Sequence, residues 1–303
     1  MLAKLVALIR LGRPLFLGGG FLLFALGAAL AHLAGHAIDV ARYALGQATV
    51  TAFQLMTHYA NDYFDYAADR ANTTPTQWSG GSRVLANDEL PRSVALIAAL
   101  VLAAVGCILG ALLYLRSEDP RVLAIALAMA ALAWAYSAPP LRLCAAGLGE
   151  LDTAIVVTVL VPWLGFLLQA PDLAGVRLLV LAIVPLALLQ FAMLLAIEFP
   201  DAAGDAATNK RTLVVRLGAP AAAKLWIAVT LLAFAWLPIA YALGLPGRIA
   251  LGGALPAPFA IYRVMRGSDH REPSAFERLT FGAVALLVAT SACELAATVS
   301  TTL

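Results

Sequence analysis

Gln47-Ala48-Thr49-Val50-Thr51-Ala52-Phe53-Gln54-Leu55-Met56-Thr57-His58-Tyr59-Ala60-Asn61-Asp62-Tyr63-Phe64-Asp65-Tyr66-Ala67-Ala68-Asp69 decides how this chain is read. Its polar residues Gln47, Thr51, Gln54, His58, Asn61, Asp65 and Asp69 recur at steps of three and four, which lays them along one side of a helix. The chain around them is 62% hydrophobic and only 13% charged. A polar stripe in such surroundings cannot face lipid without penalty, so it faces an interior. A thinner stripe, Gln190, Leu194, Glu198, Asp201 and Asp205, ends in a second acidic string about half the chain later.

Outward from these stripes, apolar runs repeatedly approach the ~20 residues that a bilayer requires. They predict an all-α, polytopic bundle of about nine transmembrane helices around a central cavity, with spans at 14–33, 43–60, 93–115, 122–136, 151–168, 176–199, 221–243, 249–265 and 276–298. The longest polar stretch, 62–92, is a loop between two spans, so residues 1–303 are expected to form one transmembrane domain. Lys4, Arg10, the apolar run and Ala29-Leu30-Ala31 imitate a secretory leader. Cleavage there would leave an even span count and disturb the charge bias, so the run is read as span one. With the N-terminus in the cytoplasm, fifteen of the 20 Lys and Arg fall on that side, Arg271 among them, and Arg42, Arg116, Arg121, Arg177 and Arg248 on the other. Both acidic strings then face the cytoplasm, as expected for a multi-pass protein of the cell inner membrane. The net charge of +2 gives no reason to expect a nucleic-acid partner. Cys107, Cys144 and Cys293 have no CxxC spacing and read as small apolar residues.

Carboxylates gathered at matched span ends suit Mg²⁺, which keeps part of its water and bridges carboxylates to substrate phosphates. Two such sets could neutralise the charge that grows on a departing diphosphate, with cations completing the leaving-group site. Lys210, Arg211, Arg83 and Arg142 are the candidate cations, and positive-inside anchoring is the competing role for each. Gly80-Gly81 permits a tight turn beside an anion or a plain connector. Tyr136, ahead of Pro139-Pro140, reads equally as a cavity hydroxyl or an interfacial anchor. His32 and His36 read as solvated helix ends, and His58 as a hydrogen-bonded core histidine or a base. A transporter or cation channel is the competing function, although its ion sites usually lie nearer the bilayer midplane.

The string Asn61-Asp62-x-x-Asp65-x-x-x-Asp69 is followed by Tyr136-Ser137-Ala138-Pro139-Pro140, Gly147-Leu148-Gly149-Glu150, and Asp201-x-x-x-Asp205 with Lys210-Arg211-Thr212-Leu213. Together these resemble the UbiA superfamily of intramembrane prenyltransferases. The resemblance implies nine helices around a cavity, Mg²⁺ as cofactor, a polyprenyl diphosphate and a small aromatic acceptor as substrates, and surrounding membrane lipid. It makes Asn61, Asp62, Asp65 and Asp69 the first metal motif, with Asn61 a cofactor contact, makes Asp201 and Asp205 the second, and makes Lys210, Arg211 and Arg142 diphosphate contacts, with Tyr136 near the reacting centre; Arg83 stays a candidate cation from the residues alone. The catalytic base stays open among Asp65, Glu198 and His58. The branch most resembled is that of the menaquinone pathway, which prenylates 1,4-dihydroxy-2-naphthoate. 4-Hydroxybenzoate, haem, a chlorophyll precursor, a glycerol lipid and water are the alternative acceptors. Ile197-Glu198-Phe199-Pro200 stands where such relatives often carry asparagines and an arginine, and it adds a carboxylate beside the second motif.

Overall fold

A computed structural model describes residues 2–266, 270 and 272–302; Arg271 lies outside them. All regular structure among the described residues is helical. The chain opens with α1 (Leu2–Leu11), which exposes Leu2, Leu5, Val6 and Ile9 and buries Ala7 and Leu11. Carrying Lys4 and Arg10 as well, it has the makeup of a helix lying along a membrane surface. Pro14 then starts α2 (Pro14–Leu33), where a missing amide proton costs nothing. α3 (Val40–Phe64) begins at Asp39, whose carboxylate accepts a hydrogen bond from the Arg42 amide at 2.9 Å. It is followed by α4 (Tyr66–Ala71), α5 (Arg92–Ser117) and α6 (Pro120–Ala135). Next come α7 (Gly149–Ile155), a π-helical turn (Val156–Leu160) and α8 (Val161–Leu167), which run on as one span. The remainder comprises α9 (Val176–Glu198), α10 (Ala202–Ala207), α11 (Leu213–Leu217), α12 (Ala219–Ala242), α13 (Gly247–Ala254), α14 (Ala257–Met265) and α15 (Phe276–Thr302).

Six helical segments among the described residues are long and apolar enough to cross a membrane: Pro14–Leu33, Arg92–Ser117, Gly149–Leu167, Val176–Glu198, Ala219–Ala242 and Pro273–Thr302. The other three expected spans depart from that standard for distinct reasons. α3 has 25 residues but carries the polar stripe, and α6 has only 16. The expected span 249–265 is two helices, because Pro256 cannot donate the amide that would carry α13 into α14. α5 turns Ile97, Val101, Ile108, Leu112 and Leu115 outward. An exposed apolar stripe of that length matches hydrocarbon, and with the other apolar helices it makes this an integral membrane protein.

Packing places the core between α2, α3, α6, the α7–α8 span, α9 and α15, with α5 outside α3, and α12 and α13 outside α9 and α15. Glycines set the closest approach. A Cβ on Gly27 of α2 would collide with the Pro162 carbonyl of α8, and one on Gly165 of α8 with the Phe24 carbonyl of α2. Backbones touch there, as small residues allow in membrane bundles. Gly165→Val should therefore lower detergent stability by ~1–3 kcal/mol, the usual cost of overpacking. Gly18→Ala, where a Cβ meets nothing within 4 Å, should not. Thermal melts followed by size-exclusion chromatography compare the two, and equal melts would contradict the packing.

Candidate active site

The two acidic motifs meet because the elements that carry them are built alike. α3 stops at Phe64, Asp65 occupies its C-terminal cap, and the six-residue α4 turns away. α9 stops at Glu198 and the six-residue α10 follows from Asp201. α4 and α10 pack on each other across Gly204, where a Cβ would lie 2.9 Å from the Asn72 nitrogen and 3.0 Å from the Ala68 oxygen. Asp65 caps both helices, ending α3 and opening α4, and the Asp69 amide donates to its carbonyl at 2.9 Å, so the helical relation implied by the spacing of Asp65 and Asp69 is kept within α4.

Each carboxylate has its own support. Asp62, 2% exposed, accepts hydrogen bonds from the Ser82 amide and hydroxyl and lies 3.6 Å from an Arg13 guanidinium nitrogen. Asp65, 4% exposed, accepts from Asn61 Nδ2 at 2.7 Å and pairs with Lys210 Nζ at 2.9 Å. Lys210 also reaches Asp205 at 3.4 Å. Asp201 accepts from Asn72 Nδ2 at 2.7 Å and from the Gly80 amide at 3.0 Å. A Cβ on Gly81 would strike the Asp69 carboxylate, so Gly80-Gly81 is the close approach that the sequence left open beside a plain connector. No three His, Cys, Asp or Glu side chains among the described residues already converge on one point. The ammonium of Lys210 stands between the motifs, while Asp65 Oδ1 and Asp205 Oδ2 are buried without partners. These unused hard oxygens fit a divalent cation.

The predicted cations separate. Lys210 is central, its ammonium opposed by burial yet held well above the ordinary range by Asp65 and Asp205. Arg83 donates to the Asp69 carbonyl and, at 3.4 Å, to that of Gly80, so it ties the loop to α4. Arg142 is half-buried with Nε lacking a partner. Arg211 is exposed, and its amide donates to the Ala145 carbonyl at 3.1 Å. Glu198, 6% exposed, faces the 1% exposed carboxyl of Glu150 within hydrogen-bonding reach. Its extra charge is directed at another carboxyl and is absent from the cavity wall. His36 pairs with Asp172 at 3.3 Å.

Below the carboxylates opens a cavity, with about 1350 Å³ of empty space when open solvent is included. Gln54, His58, Asn61 and Tyr136 line it, as does Phe53, a residue off the polar stripe. Gln47 and Thr51 are absent from its wall; Gln47 Nε2 bonds to Thr51 Oγ1 at 3.2 Å along the same helix. His58 Nε2 is buried without a partner, its ring 5.9 Å from that of Phe16, so the hydrogen-bonded core reading does not hold for that nitrogen. Sequence reasoning missed Arg13, Asn72, Ser82 and Asp152. The first was absorbed by the positive-inside count, and the next two are ordinary loop polar residues until folding places them against Asp201 and Asp62. Asp152, inside a predicted apolar span, was a signal that could have been used.

Residues 16–289 match the UbiA prenyltransferase family, and the chain belongs to it; it is therefore a prenyltransferase, and the transporter reading falls. No curated protein matches the chain in sequence. Among solved structures, a digeranylgeranylglyceryl phosphate synthase is 17% identical over 98% of this chain and 99% of its own, with a TM-score of 0.67. A UbiA homolog from Archaeoglobus fulgidus bound to DMAPP and Mg²⁺ is 15% identical over 97% and 99%, with a TM-score of 0.66. The apo UbiA homolog from Aeropyrum pernix K1 is 21% identical over 90% and 96%, with a TM-score of 0.67. At such identities the likeness is one of fold.

Burial pushes the Asp205 carboxyl up to about 7, against the pull of Lys210. Burial likewise raises Asp201, and it raises Asp69 with help from the charges of Asp62 and Asp65. A carboxyl raised on folding takes up a proton, so its contribution to stability is full below the ordinary 3.8 and is lost as pH rises through about 7. Metal-free protein should therefore melt at lower temperature at pH 8 than at pH 5. Asp205→Asn should flatten that slope, and a slope unchanged by the substitution would refute the assignment.

Proposed function

We propose that this protein transfers a polyprenyl group from a polyprenyl diphosphate to a small aromatic acceptor, probed first with 1,4-dihydroxy-2-naphthoate. The observation that carries the reading is Lys210 bridging Asp65 of the first motif and Asp205 of the second at the head of a large cavity. Asp62, Asp65, Asp69, Asp201 and Asp205 would hold Mg²⁺, for which the unpartnered Asp65 and Asp205 oxygens are suited. When bound, Mg²⁺ supplies Lewis acidity to the diphosphate oxygens. DMAPP with Mg²⁺ in the A. fulgidus homolog supports this assignment.

The chain's own residues account for the rest. Lys210 offers its ammonium to the negative charge that grows on the leaving oxygen as the carbon–oxygen bond breaks. Asn72, the Gly80 amide and Ser82 hold Asp201 and Asp62 in place, as outer partners of metal ligands do. Phe16, Trp78 and Tyr136 turn aromatic surface into the cavity, and Phe16 and Trp78 pack edge to face at 5.6 Å. Aromatic faces stabilise a nearby allylic cation, and the apolar wall keeps water from capturing it. Asp65, by its free Oδ1, and His58, by its free Nε2, are the candidate proton acceptors. We assign Arg142 and Arg211 as outer diphosphate contacts, with Arg83 as a loop anchor. The quinone-precursor acceptor rests on the resemblance of Asn61–Tyr66 and the Gly147–Glu150 turn to the menaquinone-pathway branch.

We further assign nine spans, with α3, α6 and the α13–α14 pair completing the six apolar segments, in a cell inner membrane with the site facing the cytoplasm. The excess of Lys and Arg on the active-site side supports that orientation.

Two measurements test these assignments. Asp65→Asn and Asp201→Asn should each lower turnover about 100-fold or more while leaving detergent monodispersity intact, and EDTA should abolish activity. The assay is product mass after incubation with geranyl diphosphate, Mg²⁺ and 1,4-dihydroxy-2-naphthoate; full activity in either variant sinks the metal assignment. For orientation, in a chain with Cys107 replaced by Ser, Thr73→Cys should react with an impermeant maleimide only from the cytoplasmic side. Asp172→Cys should react only from the opposite side, and labelling of both from one side would overturn the span count.

A further inference from the structure

Asp152 is a carboxylate that none of the foregoing chemistry uses. It lies one turn into the α7–α8 span, 5% exposed, in the wall of the cavity, and its Oδ1 is buried without a hydrogen-bond partner. Among the described residues no salt bridge reaches it: Lys210 is engaged by Asp65 and Asp205, and Arg13 by Asp62. A carboxylate placed in a membrane span without a partner is costly, and an acceptor-only group of this kind is satisfied by whatever donor enters the cavity. Its helix is shaped around the same space. Immediately after it the chain takes a π-helical turn, Val156–Leu160, and Val156 and Val161, five residues apart, both line the cavity with Asp152 and Thr153. Such turns concentrate at functional sites, because the extra residue shifts which side chains face inward.

We propose that Asp152 is the specificity-determining residue for the acceptor, its free carboxylate oxygen accepting a hydrogen bond from an acceptor hydroxyl. This rests on the prenyl-transfer reading and deepens it. The phenols and glycerol lipids among the candidate acceptors share a hydroxyl. An acceptor that presents a carboxylate at this wall would meet like charge, and one that presents only a vinyl or ether group would leave the oxygen unsatisfied. On the prenyl-transfer reading the donor's diphosphate belongs with Lys210 and its carboxylates, and its hydrocarbon tail carries no hydrogen-bond donor for Asp152 to accept from, so Asp152 is assigned to the second substrate.

The test uses full-length protein in detergent with geranyl diphosphate, Mg²⁺ and three hydroxyl acceptors: 1,4-dihydroxy-2-naphthoate, 4-hydroxybenzoate and glycerol 1-phosphate. KM is measured separately for donor and acceptor. Asp152→Asn keeps an accepting carbonyl and should raise the acceptor KM severalfold, whereas Asp152→Leu, of similar size and without a polar atom, should raise it by about tenfold or more. Both should leave the geranyl diphosphate KM within twofold. A dimethoxy analogue of the preferred ring, unable to donate, should bind wild type more weakly than the hydroxylated ring and bind Asp152→Leu equally. An acceptor KM unmoved in Asp152→Leu, or a rise shared by the donor KM, overturns the assignment. If wild type prenylates none of the three acceptors, the prenyl-transfer reading to a hydroxylated acceptor fails together with it, whereas product formation with an indifferent Asp152→Leu removes only the role of Asp152.

Discussion

Five carboxylates crowded at one end of an apolar bundle repel one another, and Lys210 opposes that repulsion at the centre. Its ammonium is shared between Asp65 at the end of α3 and Asp205 in α10, so one cation joins two segments far apart in the chain. In a partly desolvated site such a contact is much stronger than on a wet surface, and an unpaired charge there would be correspondingly costly. The positions of α4, α10 and the loop at 72–83 follow from keeping these acids apart but supported.

That support is mostly neutral. Asn72 and the Gly80 amide hold Asp201, and Ser82 holds Asp62. Neutral donors fix carboxylates without consuming their charge, which leaves oxygens free for a cation or a phosphate-bound metal. Gly204 and Gly81 provide the close approaches, because a side chain at either position would displace α4 or the Asp69 carboxylate. The two halves of the site thus share one design, a long helix that ends at an acidic residue and a six-residue helix that turns across its counterpart.

From this charged head the cavity grades into an apolar interior bordered by α2, α3, the α7–α8 span and α15. A substrate with a diphosphate head and a hydrocarbon tail matches that gradient. Two of the polar residues in its wall, His58 and Asp152, each keep a buried atom without a partner, and such atoms can take specific contacts from a second substrate.

The all-helical membrane bundle, both acidic motifs and Lys210 were legible in the chain because periodicity, apolar run length and charge placement are local properties. So was the location of the six segments long and apolar enough to cross a membrane, whereas the expected span 249–265 is broken at Pro256, whose missing amide proton splits it. Legibility failed where a role depends on what lies across the fold. Gln47 and Thr51 continue the stripe without reaching the cavity. Arg83, Arg142 and Arg211 look alike as cations near acids, yet one binds backbone, one is half-buried and one is exposed. Asn72, Ser82 and Arg13 gain their meaning only when tertiary packing sets them beside Asp201 and Asp62. Helix type follows from interactions a few residues apart, whereas the partner of a buried charge is chosen by three-dimensional proximity, which no spacing in this chain encodes.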